Sequence, residues 1–468
     1  MNLYEKLRER GYKQIDTDPY ANIKVWQSWY EGDVKKFHTY RVFNGSKHVQ
    51  VRRYTMGMAK KVAEDWASLL MNEKVAITLE GQKEQEFIDK VFDDNNFRVK
   101  ASELQEHKAA TGTTAFVPRV TGAAADEEGN VTGGEIKLDY VTAANIVPLT
   151  WENGVVTECA FATSKTVGKD KYLYVQIHKL AENGLYDIEN VVYKDQNGNL
   201  TEESDPSGVH GFEGVVPVVH TGSDKPLFVI DRMNIANNTD INSPMGISVY
   251  ANAIDQLKGV DIAYDSYVNE FILGKKRIFV LPEFTKNLDG EPVFDPNDTV
   301  YYVLQNDEGN TIHEIDMSLR TAEHNAGIQD MLNALSSKVG FGNMRYQFDR
   351  GSITTATQII SENSDMFRNI KKHEIILESV LMQLCRTLLR MGNQYQSAGL
   401  DEDVEISIDF DDSIIEDKTA ERANDRMDMQ MGILNPYEYR MKWYNEDEET
   451  AKGALPMMES LVSGAEAE

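Results

Sequence analysis

The sequence predicts an α+β fold, and three observations carry that expectation. Apolar residues recur at threes and fours through several long stretches, the pattern of amphipathic helices. Between Ala115 and about His220 the period shortens to two, with turn residues between β-rich runs, the pattern of hairpins. The apolar fraction of 41% suffices for a core, and 468 residues leave room for roughly three domains.

The N-terminal part carries Trp26, Trp29 and Tyr30 within residues 23–32, an aromatic group that fits packing better than a ligand cage. Met58, Val62, Trp66, Leu69 and Leu70 give one apolar face to a helix expected over Met56–Asn72. A second helix is expected over Gln82–Phe92. In the strand-rich region, Glu128-Gly129-Asn130 and Gln196-Asn197-Gly198-Asn199 read as turns around runs such as Tyr172–His178. The acidic turn Asp195–Glu202 superficially resembles a calcium loop. Leu200 stands where such a loop needs its sharp-turn glycine, so no metal is expected there.

Ser243-Pro244-Met245-Gly246 has the features of a helix start, with Ser as N-cap and Pro at the first position. Tyr250, Ala253, Leu257, Val260, Tyr264, Tyr267 and Phe271 then alternate spacings of three and four, so one face of this helix requires a partner. It should end near Gly274. Lys275, Lys276 and Arg277 either complement its C-terminal dipole or contact nucleic acid. Ile278–Leu281 and Thr299–Leu304 read as strands of a small inserted module, separated by Pro282, Gly290, Pro292 and Pro296. Helix returns over about Leu319–Val339, with Ile328, Met331, Leu332, Leu335 and Val339 on one side. The stretch Gly340–Gly351 is too punctuated by glycine to be helical throughout. From Thr354 to Met391, Ile359, Met366, Ile370, Leu377, Leu381, Leu384, Leu388 and Met391 form one stripe. The helix they predict is roughly 57 Å long if straight, with a kink near Ser361–Ser364 as the alternative. A strand over Val404–Phe410 leads into an acidic, Met-rich tail with helices around Ala420–Met431, Pro436–Trp443 and Glu446–Ser463.

Forty-eight basic against 76 acidic residues leave a formal charge of −28, which excludes the basic footprint of a protein that grips phosphates. Such a charge fits an acidic soluble surface. It also fits a surface that faces DNA without holding it, since duplex DNA carries one negative charge per ~1.7 Å. Cys159 and Cys385 are far apart and point to neither a disulfide framework nor a metal knuckle. The N-terminus, charged from Glu5 onward, has no apolar core of a signal peptide, and no run approaches the ~18 apolar residues of a membrane span. Cytoplasm-like surroundings and no membrane are expected.

Catalytic patterns are weak or missing. There is no phosphate-cradling Gly-Lys-Ser/Thr loop, and Gly340-Phe341-Gly342 lacks the third glycine of a dinucleotide fingerprint. The nine histidines include no i, i+4 pair and no His-Glu-x-x-His run, so neither metal nor cofactor is expected. No Gly-x-Ser-x-Gly elbow offers a serine nucleophile. The densest carboxylate group is Asp401, Glu402, Asp403, Glu405, Asp409, Asp411, Asp412, Glu416 and Asp417. Glu405 and Asp409 would share a strand face, as a glycoside hydrolase could use. A solvated acidic strand is the favoured reading, because no aromatic sugar platform stands beside it.

Five stretches in order carry a family resemblance: WQSWYEG at Trp26–Gly32, MAKKVAEDWASLL at Met58–Leu70, SPMGISVY at Ser243–Tyr250, LSSKVGF at Leu335–Phe341 and TTATQII at Thr354–Ile360. With these the chain resembles the portal proteins of tailed bacteriophages, in particular the group from phages of Gram-positive bacteria. The resemblance implies a non-enzymatic virion protein, a ring of twelve copies at one capsid vertex through which double-stranded DNA enters and leaves without sequence preference. It implies a portal fold: an α/β wing (1–242 and, with the long helix, 354–410), two stem helices (243–274 and 318–339), a small β-rich clip (275–317), a tunnel loop (340–353) and a short helical crown (411–468). Tyr250, Leu257, Val260, Tyr264, Tyr267, Ile328, Leu332 and Leu335 would pack the stem. Lys275, Lys276 and Arg277 would stand at the stem–clip junction. Asn343, Arg345, Tyr346, Gln347 and Arg350 would meet DNA from the tunnel loop. The implied partners are the terminase large subunit, the head–tail adaptor, and the major capsid and scaffolding proteins, with assembly in the host cytoplasm. Another ring-forming virion connector and an acidic glycoside hydrolase remain the rival readings.

Overall fold

Helices α1 (Leu3–Glu9), α2 (Asp18–Tyr30) and α3 (Lys35–His38) open the chain and lead into a ribbon of β1 (Thr39–Phe43) and β2 (His48–Arg52). Then come α4 (Met58–Leu70), β3 (Ala76–Leu79), α5 (Gln82–Asp94) and α6 (Phe97–Thr111). These are seen in a computed structural model that describes residues 2–13, 15–43, 47–122, 124–125, 131–213, 215–274, 277–280, 301–303, 312–315, 318–343, 345–348, 356–410, 418–444 and 446–454. The fold is α+β, in two units, residues 1–410 and 411–468. The α4 face expected from the sequence is the buried one: Met58, Val62, Trp66, Leu69 and Leu70 all lie in the core, each contributing about 1.5–3 kcal/mol through burial. Trp26 and Trp29 are also buried, and Trp29 packs on Phe37 and His38, so the aromatic group is packing.

The strand-rich region contains β4 (Thr113–Thr121), β5 (Ala124–Ala125), β6 (Val131–Thr132), β7 (Glu135–Thr142), β8 (Ile146–Glu152), β9 (Val155–Val167), β10 (Asp170–Leu180), β11 (Tyr186–Gln196), β12 (Asn199–Glu202), β13 (Val218–His220) and β14 (Val229–Arg232). Strands β8 to β12 form an antiparallel meander with β13 also paired to β11, and β14-β4-β7 form a second sheet. Alternation sorts the meander's two faces. Val147, Ala160, Val175, Ile177, Val191 and Tyr193 face a cluster closed by Leu7 and Ile15, so α1 and the segment after it cover one side. Across the ladder, His178 is fully buried between the rings of Phe161 and Phe228, both edge-on to it at 5.4 and 5.3 Å. The Asn197-Gly198 turn closes the β11–β12 hairpin, and Asp195 accepts a hydrogen bond from the Gly198 amide. Among the described residues no group of side chains is arranged to hold a metal ion.

The first correction falls at Ser243. The expected helix starts not there but at Ile254, after a 3₁₀ turn over Ala251–Ala253. The eight residues from Ser243 to Tyr250 are irregular because their polar backbone is committed elsewhere. The Gly246 amide donates to Thr113 Oγ1 at 2.8 Å and the Val249 amide to the Ala109 carbonyl at 3.0 Å. Ser243 Oγ accepts from the Met245 amide at 3.3 Å, a local turn that competes with helix capping. Gly112 and Gly246 pack backbone to backbone: a Cβ on Gly246 would lie 2.3 Å from the Gly112 carbonyl oxygen. Helix geometry is given up here for close docking onto the end of α6.

Helix α7 (Ile254–Leu273) is followed by β15 (Arg277–Val280), β16 (Tyr301–Val303) and β17 (Ile312–Ile315), then α8 (Thr321–Lys338). β15 lies centrally, parallel to β16 and antiparallel to β17. Helix α9 (Ala356–Gln396) is continuous over 41 residues, about 62 Å long, and its backbone stays helical through Ser361–Ser364. Met366, Ile370, Leu377, Leu381, Leu384, Leu388 and Met391 are buried; the Ile359 side chain lies outside the described residues. After α9, β18 (Ile406–Asp409) pairs antiparallel with β3, bringing the C-terminal part of this unit back to the strand after α4. No helix among the described residues is long and apolar enough to cross a membrane.

Residues 411–468 contain α10 (Lys418–Gln430), α11 (Pro436–Tyr444) and α12 (Glu448–Gly453). Arg422 and Arg426 both donate to the Tyr439 hydroxyl at 3.0 Å. The carboxylates Asp411, Asp412, Glu416 and Asp417 lie outside the described residues.

Candidate functional site

Helices α7 and α8 pack as an antiparallel pair. Gly259 faces Met331, Tyr267 faces His324, and Glu270 forms a forked ion pair with Arg320, at 3.0 Å to Nε and 2.8 Å to Nη2. Hydrogen bonding from Arg320 holds the Glu270 carboxyl down at about 2, so the pair is charged at neutral pH. Leu257, Val260, Ile328, Leu332 and Leu335 are buried, and Tyr264 and Tyr267 are half-buried. The partner that the apolar stripe requires is therefore α8 of the same chain. Tyr250 sits elsewhere: it precedes the helix, is fully buried, and donates its hydroxyl hydrogen to the Trp26 carbonyl at 3.0 Å. What α7 leaves uncovered is Ile262, Phe271 and Ile272, together with Met331 on α8 and Leu319 before it.

The loop after α8 is anchored at its base and clamped beyond it. Gly340 takes φ +95°, a left-handed conformation that glycine adopts without strain, and its carbonyl accepts from Asn369 of α9 at 2.9 Å. Trp66 donates from Nε1 to the Val339 carbonyl at 3.2 Å, stacks on Phe341 at 4.8 Å and meets His373 edge-on at 4.7 Å. One tryptophan thus joins α4, the loop and α9. Farther along, Gln329 of α8 donates to the Tyr346 carbonyl and accepts from the Phe348 amide, both at 2.8 Å. Phe348 in turn meets Tyr267 of α7 at 5.8 Å.

Of the loop residues singled out from the sequence, Asn343 and Gln347 are exposed. The Arg345 guanidinium lies 3.6 Å from Asp65 of α4, a carboxylate that also takes Lys61 at 2.9 Å. Tyr346 is buried against Phe341, and burial followed by the Asp65 charge pushes its phenol pKa well up. Arg350 lies outside the described residues, as do Lys275 and Lys276. Arg277 opens β15, with its side chain outside the described set. Glu405 and Asp409 are both exposed, but β18 begins only at Ile406, so Glu405 precedes the strand, while Glu402 is engaged by Arg390 and Asn393.

The sequence reading missed the polar root of α7. Asp261 and Asp265, one turn apart and both buried, hold the segment after β2. Asp261 accepts from the Met56 amide at 2.8 Å and from Thr55 Oγ1; Asp265 accepts from the Tyr54 amide at 2.9 Å. His38 Nδ1 accepts the Val34 amide at 2.8 Å, which assigns the ring hydrogen to Nε2, 3.0 Å from Asp261. A buried Lys108–Asp231 pair at 2.9 Å was equally silent in the sequence. The only signal available was that charges at 261 and 265 fall beside the apolar stripe at helical spacing, which a solvated face explains as well.

Along the chain, the α7–α8 pair is followed by the anchored loop and then by α9. A search of the curated proteins finds no match to this chain. A family model described as phage portal protein, SPP1 Gp6-like, matches residues 10–454, nearly its whole length. The chain belongs to that family of phage portal proteins.

Proposed function

We propose that the chain works as a ring of twelve copies at one capsid vertex, the conduit for packaging and ejecting double-stranded DNA. The α7–α8 pair is the stem, the β15–β17 module within 275–317 the clip, 340–353 the tunnel loop, residues 1–242 and 354–410 the wing, and 411–468 the crown. Terminase and then the head–tail adaptor dock at the clip, and the ring meets capsid and scaffolding proteins at the vertex. The chain itself is not an enzyme; the motor that drives DNA hydrolyses ATP.

The observation that carries this reading is the antiparallel α7–α8 pair running directly into a loop moored at Trp66. A stem must hold its shape while a loop beside the channel moves, and the two join at Gly340, whose left-handed backbone glycine adopts without strain. An acidic chain keeps a like-charged duplex from adhering, and Arg345 and Arg350 supply limited contacts. In the conformation seen, Asp65 engages Arg345, so contact with phosphate requires exchange of one anion for another. Purified chain imaged in negative stain should show rings with a central hole; a uniform monomer population would overturn the reading. Arg345→Ala combined with Arg350→Ala should leave rings intact and lower packaged-DNA yield, and an unchanged yield would remove the loop from the mechanism.

A further inference from the structure

Between Val34 and Ala63 the sequence holds eight lysines and arginines and no aspartate or glutamate. In a chain of net charge −28, the remainder is more acidic still. The β1–β2 ribbon rises from this stretch. Its register sets Tyr40 beside Val51 and Val42 beside Val49 on one face, with Arg41 beside Gln50 and Thr39 beside Arg52 on the other. No third strand joins it among the described residues. Val42 and Phe43 are 41% and 58% exposed. Two strands alone are marginal in water, and open strand edges carrying apolar side chains are association surfaces.

The root of the ribbon is firm. Arg53 lies over the rings of Phe37 and Tyr40, and Tyr54, Thr55 and Met56 are fixed to Asp261 and Asp265 of α7. His38, immediately before β1, binds the same Asp261. The ribbon is thus an arm mounted on α7 and held at its base, with Val42 exposed on one face and Phe43 on the other.

We infer that this arm docks onto a second copy of the chain, with its exposed end at Val42 and Phe43 against the neighbour and Arg41 and Arg52, which share the face of Phe43, toward its carboxylates. Charge selects the occupant: an acid-free basic arm finds its complement on a chain whose remaining surface is strongly acidic. This builds on the ring reading by naming one contact between its copies. Because the arm is rooted on α7, docking also ties each copy's stem helix to its neighbour.

The test uses the full chain in two variants, Val42→Asp with Phe43→Ser, and Arg41→Glu with Arg52→Glu. All four side chains are at the surface, so the melting profile of the monomer should match wild type. In sedimentation velocity the concentration for half-assembly should rise at least tenfold for each variant. A photoreactive analogue in place of Phe43 should crosslink two copies. Rings that form at wild-type concentrations in both variants overturn the docking and leave the ring reading standing. A position-43 crosslink between copies that form no ring sustains the docking and sinks the ring reading. Normal assembly with loss of a duplex contact that the wild type shows in a low-salt gel shift would make the arm a nucleic-acid contact and overturn the inference.

Discussion

His178 shows how one side chain can set a pH response. Both ring nitrogens are buried without a hydrogen-bond partner, and desolvation pulls the pKa from 6.5 down to about 3. Burial likewise pulls His373 down to about 3, with lesser contributions from Lys108 and Lys372. A base with a depressed folded pKa binds its proton in the unfolded chain first, so stability is full above about 6.5 and falls as pH drops toward 3. Between pH 7 and 5 each such histidine costs about 2 kcal/mol. His178→Leu should therefore be neutral or stabilising at pH 7, since it removes two unsatisfied polar atoms. It should also shrink the pH 7-to-5 loss by about 2 kcal/mol in urea titrations. An unchanged loss would show that the ring is hydrated or paired. A sequence does not reveal this: His178 sits in a strand of alternating residues, and only the two phenylalanines that the fold brings around it decide its state.

At the scale of elements, the Gln329 clamp joins a stable helix to a loop of few other bonds. Removing it with Gln329→Ala deletes both of its hydrogen bonds to the loop, along with one to Asn333 within α8, each contributing about 0.5–1.5 kcal/mol. Local opening of residues 345–348 should become roughly tenfold more frequent. Hydrogen exchange at the Phe348 amide reads this directly, and an unchanged rate would mean that the contacts with Tyr267, Phe341 and Asp65 suffice to hold the loop. Elements of this kind were partly legible. The stripes of α4 and α9 were plain because apolar residues at threes and fours have one physical solution, burial of that face. The start of α7 departs from the expectation because local capping signals at Ser243 and Pro244 are outweighed by the long-range bonds that the Val249 and Gly246 amides donate to Ala109 and Thr113. Asp261 and Asp265 were passed over for a related reason: a carboxylate beside an apolar stripe looks solvated until the amides it binds, some 200 residues away in sequence, are placed next to it.

The whole molecule is governed by its net charge of −28, and that charge has a measurable consequence for how the chain treats a duplex. A protein that binds DNA through phosphates releases counterions, so its affinity falls steeply as salt rises. The proposed conduit requires the reverse balance, because each retained phosphate would stall passage. With a Debye length of about 8 Å at physiological ionic strength, only basic groups within a few ångströms of the backbone offset the surrounding acids, and Arg345 already has Asp65 beside it. The assembled chain should accordingly show no retention of random-sequence duplex in gel shifts at about 150 mM salt. Added salt should leave the residual contact flat, or strengthen it slightly by screening repulsion. Tight retention that weakens sharply between about 50 and 200 mM salt would mean that the basic side chains outweigh the acidic ones, and the proposed low-adhesion channel could not be built from this chain.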